Sequence, residues 1–205
     1  MKNAMLHQHE LNPLDFIRHS THTQHKALEK RLNFPHSFKT KASFARVLSL
    51  FHVFQSELTE YAAHFRDRVV SEFELDKRCR LSLLEQDMAL LGMPQHAEQV
   101  TASHLELSTL DAFYGALYVS EGSTLGGHLI QTAMLKIHGE EARQWTHYLN
   151  PYGEQMIPMW SQFKAVLEAE INAGRVDVDN VVRGAGDSFQ YLLDIAQELG
   201  FGDGE

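Results

Sequence analysis

The chain has 205 residues, 43% of them hydrophobic, with a formal charge of −9, which supports one domain with a substantial core and, with acidic and basic residues interspersed, argues against nucleic acid as the main partner. A single cysteine, Cys79, excludes an internal disulfide framework and fits a reducing compartment. No apolar run reaches membrane-spanning length and the opening MKNAMLHQHELN lacks the apolar core of a secretory signal, so a cytoplasmic protein that does not engage a membrane is expected.

Residues 1–12 are expected to form a flexible tail and residues 13–200 a single domain. The first helix starts at Asn12, a capping residue followed by Pro13 at the first helical position and Asp15 in the first turn. Its apolar stripe is Leu14, Ile17, Thr21, His25, Leu28 and Leu32, which puts His25 on the inward face and His19 and His22 off it. An inward histidine is either a satisfied core residue or a ligand. Glu29, one turn on, is either exposed or a partner for the second ring nitrogen.

A second helix is predicted over about Thr40 to Phe65, with an aromatic-rich stripe from Phe44 to Phe65 suited to burial. A third is predicted over about Leu75 to Leu91, stopped by Gly92 and closed by Pro94. The fourth, from near Thr109 to about Ile137, reads as opened by Ser108 with Asp111 three residues on. Beyond Gly139 come a short helical piece, the loop NPYGEQMIP, a helix from about Met159 to Ala173 and a last one from about Asp179 to Leu199. Alternating strand patterns are absent, so the expected class is all-α, with about seven helices in a bundle.

The fourth helix contains the unusual stretch YVSEGSTLGGHLI, Tyr118 to Ile130. Interior helical glycines cost roughly 1 kcal/mol each against alanine, so Gly122, Gly126 and Gly127 together give up about 3 kcal/mol. Gly115, Val119, Gly122 and Gly126 share one face at the helical repeat, beside Tyr114, Tyr118, Leu125 and Leu129. Such a bare face either admits something flat and bulky against the backbone or packs closely on another helix. An inward histidine and a glycine-lined helix could form the two sides of a slot for a planar iron macrocycle, the imidazole on one side and an open position on the other.

The segment LYVSEGSTLGGHLI resembles the distal-helix signature of haem oxygenases, particularly the bacterial group. Thr21, His25, Leu28 and Glu29 resemble the family's proximal-helix pattern, Leu83 to Gly92 its third-helix segment, and Tyr152, Gly153, Trp160 and Phe163 its fifth-to-sixth helix region, with Phe189 at the aromatic position of the last helix. The resemblance spans about residues 14–199. It implies cleavage of haem, at once cofactor and substrate, to a biliverdin, carbon monoxide and ferrous iron, with dioxygen and electrons from a ferredoxin or flavoprotein reductase. A bilin-accepting protein is a further partner that the product implies.

By the same resemblance His25 is the iron ligand and Glu29 its tuning partner, while Gly122, Ser123 and Gly126 form the distal catalytic segment. Thr21, Gly127 and Phe189 would contact the ring, and Arg18 and Lys164 would meet the propionates, with Arg183 a weaker candidate. Ser123 departs from the aspartate that many members carry there, so proton delivery must use other groups, among them Ser123 itself, Thr124 and backbone carbonyls. His128 is placed either in the pocket or outside it. Three rival readings stand beside this one. A haem carrier would bind without degrading, and a helical interaction module would use its glycines for a tight crossing. A di-iron bundle would draw on His25 with Glu29, Glu60 with His64, and Glu57, Glu85 and Asp87.

Overall fold

The computed structural model describes residues 12–34, 36–93 and 104–202. Seven α-helices occur among them: α1 (Pro13–Arg31), α2 (Lys41–Phe65), α3 (Leu75–Arg78), α4 (Leu81–Leu90), α5 (Leu110–His138), α6 (Met156–Asn172) and α7 (Val178–Glu198). Short 3-10 turns join them, and no strand is present among the described residues. The fold is all-helical, as the periodicity indicates. The expected tail falls almost wholly outside the described residues, as does Pro94.

Local chemistry sets the helix starts. Asn12 Oδ1 accepts from Leu14 N at 2.8 Å ahead of Pro13, Thr40 and Ser43 close a reciprocal capping box on α2, and Asp177 accepts from Asn180 N on α7. The cap of α5 is Thr109, which accepts from Ala112 N at 3.1 Å, and not Ser108. α6 begins at Met156, earlier than the prolines of NPYGEQMIP suggest, because Pro158 falls in the first turn, where a missing N–H costs nothing.

The predicted third helix is two helices. Cys79 between α3 and α4 is extended, with φ −77° and ψ 104°. The cause is that Arg78 and Arg80 are both buried, at 0% and 1% exposure. Two residues apart on an unbroken helix they would point roughly 200° apart and one would leave the core.

α7 is the central support, packed along α5 and against α1. Glycine makes this possible: a Cβ on Gly115 would collide with the Val181 carbonyl, and one on Gly184 with the Ala112 carbonyl. Phe44, Phe54, Phe65, Phe73, Phe113 and Phe163 are buried in the interior. Phe51, on the same apolar stripe of α2 as Phe44 and Phe54, is only half-buried because it borders a cavity. That cavity lies between α1, α2, α5, α6 and α7.

Candidate active site

The cavity measures about 800 Å³, within the usual range for small-molecule and cofactor sites, roughly 300–1,000 Å³. Its lining is mostly apolar, including Leu28, Phe51, Val119, Leu129, Trp160 and Leu192. His25, Thr21 and Glu29 from α1, Gly122, Ser123, Gly126 and Gly127 from α5, Lys164 from α6 and Phe189 from α7 all line it, as does Arg18.

His25 sits on the stripe that faces the cavity and its side chain is 51% exposed there. Phe189 meets the imidazole edge-on, with ring centroids 5.6 Å apart. Glu29 Oε1 lies 3.7 Å from His25 Nδ1, too far for a direct hydrogen bond, because Lys26 Nζ holds the other carboxylate oxygen at 2.6 Å. Thr21 turns its hydroxyl back to the Ile17 carbonyl at 2.9 Å, which satisfies the polar atom within the helix.

The three glycines of the α5 stretch divide by environment. A Cβ on Gly126 would meet nothing within 4 Å, and one on Gly122 only the edge of Trp160 at 3.9 Å. A Cβ on Gly127 would collide with the Leu149 carbonyl. Gly127 thus borders the cavity, but its bareness is imposed by packing. Gly115, grouped by periodicity with Gly122 and Gly126, is likewise a packing glycine, seated on α7.

At the rim Arg18 is 78% exposed and lies 3.6 Å from Asp15. Lys164 Nζ sits over the Trp160 ring at 5.4 Å. Trp160 stacks in turn on Phe163 and borders Tyr118. Arg183 and His128 are exposed and do not line the cavity. The di-iron arrangement does not form: Glu57 pairs with His104, Glu85 approaches His52 and Asp87 pairs with His147, and no group of three or more metal-ligating side chains converges among the described residues.

Several residues near the site carry no signal in the sequence. Gln55, Arg80, Ser120 and Tyr148 form a buried polar cluster behind α5. Beside it Arg78 forms a fully buried ion pair with Glu121, which also accepts from Tyr152 Oη at 2.8 Å. Burial pushes the Tyr152 phenol far above its ordinary value. Burial also raises the Asp87 carboxyl, although Tyr148 N–H, the His147 ring and His147 N–H all donate to it and pull the other way. Arginines next to a helix start read as surface charge, and only their neighbours in space reveal otherwise.

The lining meets the demands of haem: a half-exposed imidazole, bare backbone at Gly122 and Gly126 on the same cavity, apolar walls, and Arg18 and Lys164 as cations for carboxylates. A family model described as "Heme oxygenase" matches residues 13–198. The chain belongs to the haem oxygenase family. Family and fold are those of haem-degrading oxidoreductases. The chain is 26% identical over 179 residues to "Heme oxygenase PigA" of Pseudomonas aeruginosa, covering 86% of this chain and 87% of that one. It is 32% identical over 104 residues to a heme oxygenase of Xanthomonas campestris, 51% of this chain and 59% of that protein.

Among solved structures, the fold is similar to the heme oxygenase of Leptospira interrogans, with TM-score 0.74 and 16% identity over 92% of this chain and 100% of that one. It is also similar to the NO- and CO-bound heme oxygenase of Neisseria meningitidis, with TM-score 0.70 and 20% identity over 95% and 96%. A third likeness is heme oxygenase-1 of the cyanobacterium Synechocystis in complex with heme, with TM-score 0.68 and 17% identity over 93% of each chain. Among the described residues no helix of this haem oxygenase is long and apolar enough to cross a membrane.

Proposed function

We propose that residues 13–200 act as one haem oxygenase domain that cleaves haem to a biliverdin, carbon monoxide and ferrous iron, using dioxygen and external electrons. Bound haem supplies the iron that activates dioxygen and is itself the molecule consumed. The observation that carries this reading is that His25 and the two bare positions Gly122 and Gly126 line the same cavity. Nδ1 of His25 faces Glu29, which leaves Nε2 as the nitrogen for the iron. Phe189 holds the imidazole plane from the side. Arg18 and Lys164 would take the propionates, and Gly122 and Gly126 would leave space for dioxygen over the ring. The apolar walls would shield the ring from bulk water, and their shape together with Arg18 and Lys164 would fix its rotation in the slot, which decides the edge that is attacked.

Electrons would come from a ferredoxin or flavoprotein reductase and the bilin would pass to an accepting protein. A cytoplasmic setting suits the one half-buried cysteine and the lack, among the described residues, of a membrane-crossing helix.

The test begins with haemin binding to the purified chain, followed by reductant in air. Loss of the Soret band with formation of a bilin, its isomer assigned by mass spectrometry, is the expected result. A stable ferrous or oxy complex would instead assign a haem carrier, and no haemin binding would leave a helical interaction module. The His25→Ala variant should keep its helicity, lose the histidine-ligated spectrum and turnover, and regain the spectrum when imidazole is added.

A further inference from the structure

Two donors on α1 compete for one carboxylate. Glu29 follows His25 by four residues and Lys26 by three, so viewed down the helix it falls between them, roughly 40° from His25 and roughly 60° from Lys26. Lys26 Nζ takes Oε2 at 2.6 Å, the length of a charge-assisted bond. His25 Nδ1 is left 3.7 Å from Oε1, beyond hydrogen-bond distance, and has no other polar partner among the described residues.

A histidine that holds a metal nearly always donates its second ring N–H to a carboxylate, a carbonyl or water, which orients the ring and raises its basicity. Beside His25 the carboxylate stands in place and is withheld. The ring is oriented by packing instead, since Phe189, itself buried, meets it edge-on with centroids 5.6 Å apart. What remains open is how strongly the imidazole donates, and that depends on how Glu29 divides itself between its two neighbours.

The division is finely set. Bringing Oε1 from 3.7 Å to a normal hydrogen-bond length needs a shift of roughly 0.7 Å, which a side chain as exposed as Glu29 makes by a small rotation. With 60% and 40% of their side chains exposed, Lys26 and Glu29 add little to stability as a pair. Their effect lies in where the carboxylate rests. Glu29 lines the cavity and Lys26 does not, so the lysine reaches the site only through Glu29.

We infer that Lys26 is a positioning residue for the iron ligand: by holding Glu29 off Nδ1 it keeps the His25 imidazole a weak, neutral donor. This rests on His25 taking the iron, as proposed above. A hydrogen bond from the ring N–H to a free carboxylate would give the ligand imidazolate character. Such bonding is one lever by which a protein sets the potential of a haem and the electron density pushed through its iron. A strong push favours O–O cleavage, and Lys26 withholds it.

The test uses the full chain loaded with haemin and reduced without oxygen, so that no haem is consumed. Lys26→Met removes the charge and keeps most of the side chain's length. Glu29, released, should accept from Nδ1. The iron–histidine stretching band in the resonance Raman spectrum should then move to higher frequency, and the equilibrium constant for reduction should fall about tenfold, ~59 mV for one electron. Lys26→Arg, which keeps a cation for Glu29, should return both readouts toward wild type. Loss of a nearby charge lowers the potential by itself, so the same exchange is made in a Glu29→Ala background, where the band should stay in place and the potential should move much less. An unchanged band and potential in Lys26→Met, with haemin bound normally, would overturn the inference and leave the haem-cleaving reading intact. Shifts of undiminished size in the Glu29→Ala background would do the same. An iron–histidine band that survives in His25→Ala would remove His25 as the ligand, and the inference with it.

Discussion

Gly126 and Gly127 are adjacent in the chain and opposite in environment. Only Gly127 has the Leu149 carbonyl against its Cα. Alanine at 127 must push the loop away, and overpacking of this kind costs about 1–3 kcal/mol. Alanine at 126 meets nothing within 4 Å, so it should stabilise the ligand-free protein by up to about 1 kcal/mol through helix propensity. The added methyl enters the cavity, so haemin affinity should fall. Urea unfolding of both variants, with haemin titration of Gly126→Ala, checks the pair: midpoints that move in the same direction would show that the two glycines do the same job. His25 was legible because a histidine on an apolar stripe is itself informative. The division between Gly126 and Gly127 was not, since a glycine carries no mark of what approaches it.

Helix boundaries followed their caps, and the errors had local causes. Thr109 displaced Ser108 because its hydroxyl reaches Ala112 N, and α6 absorbed Pro158 within its first turn. The break between α3 and α4 has a different origin, in the tertiary demand that both Arg78 and Arg80 enter the core. Arg78 ties this break to α5 through Glu121 and to α6 through the Met159 carbonyl and Gln162 Oε1, the last at 3.2 Å. Removing one partner of a buried pair leaves the other charge uncompensated, at about 3–5 kcal/mol. Arg78→Met should therefore lower the denaturant midpoint severely. Arg66→Ala, which breaks the exposed Arg66–Asp76 pair, should leave it nearly where it was. Equal midpoints for the two variants would remove Arg78 from the architecture of the distal side.

At the scale of the whole molecule, the interior holds many phenols among its aromatic rings, and this sets an alkaline limit on the fold. Burial pushes the Tyr114 and Tyr191 phenols up to about 12, against about 10 in an unfolded chain. Between those values the folded state binds more protons than the unfolded one, so this contribution to stability is fully present below about pH 10 and is lost as pH rises to about 12. Chemical denaturation followed at successive pH values should show stability falling through that window. Replacing Tyr114 with Phe should make the fall shallower.

The amino-acid sequence alone determined the all-helical class, the inward histidine of the first helix and the bare stretch of the long central one, because periodicity and capping are written into neighbouring residues. Only the tertiary structure decided which glycines face the cavity and which face a carbonyl, that Arg78 and Arg80 are both buried, and that Gln55, Ser120 and Tyr148 meet. These outcomes depend on what distant segments bring within a few ångströms of each other, and no local pattern records that.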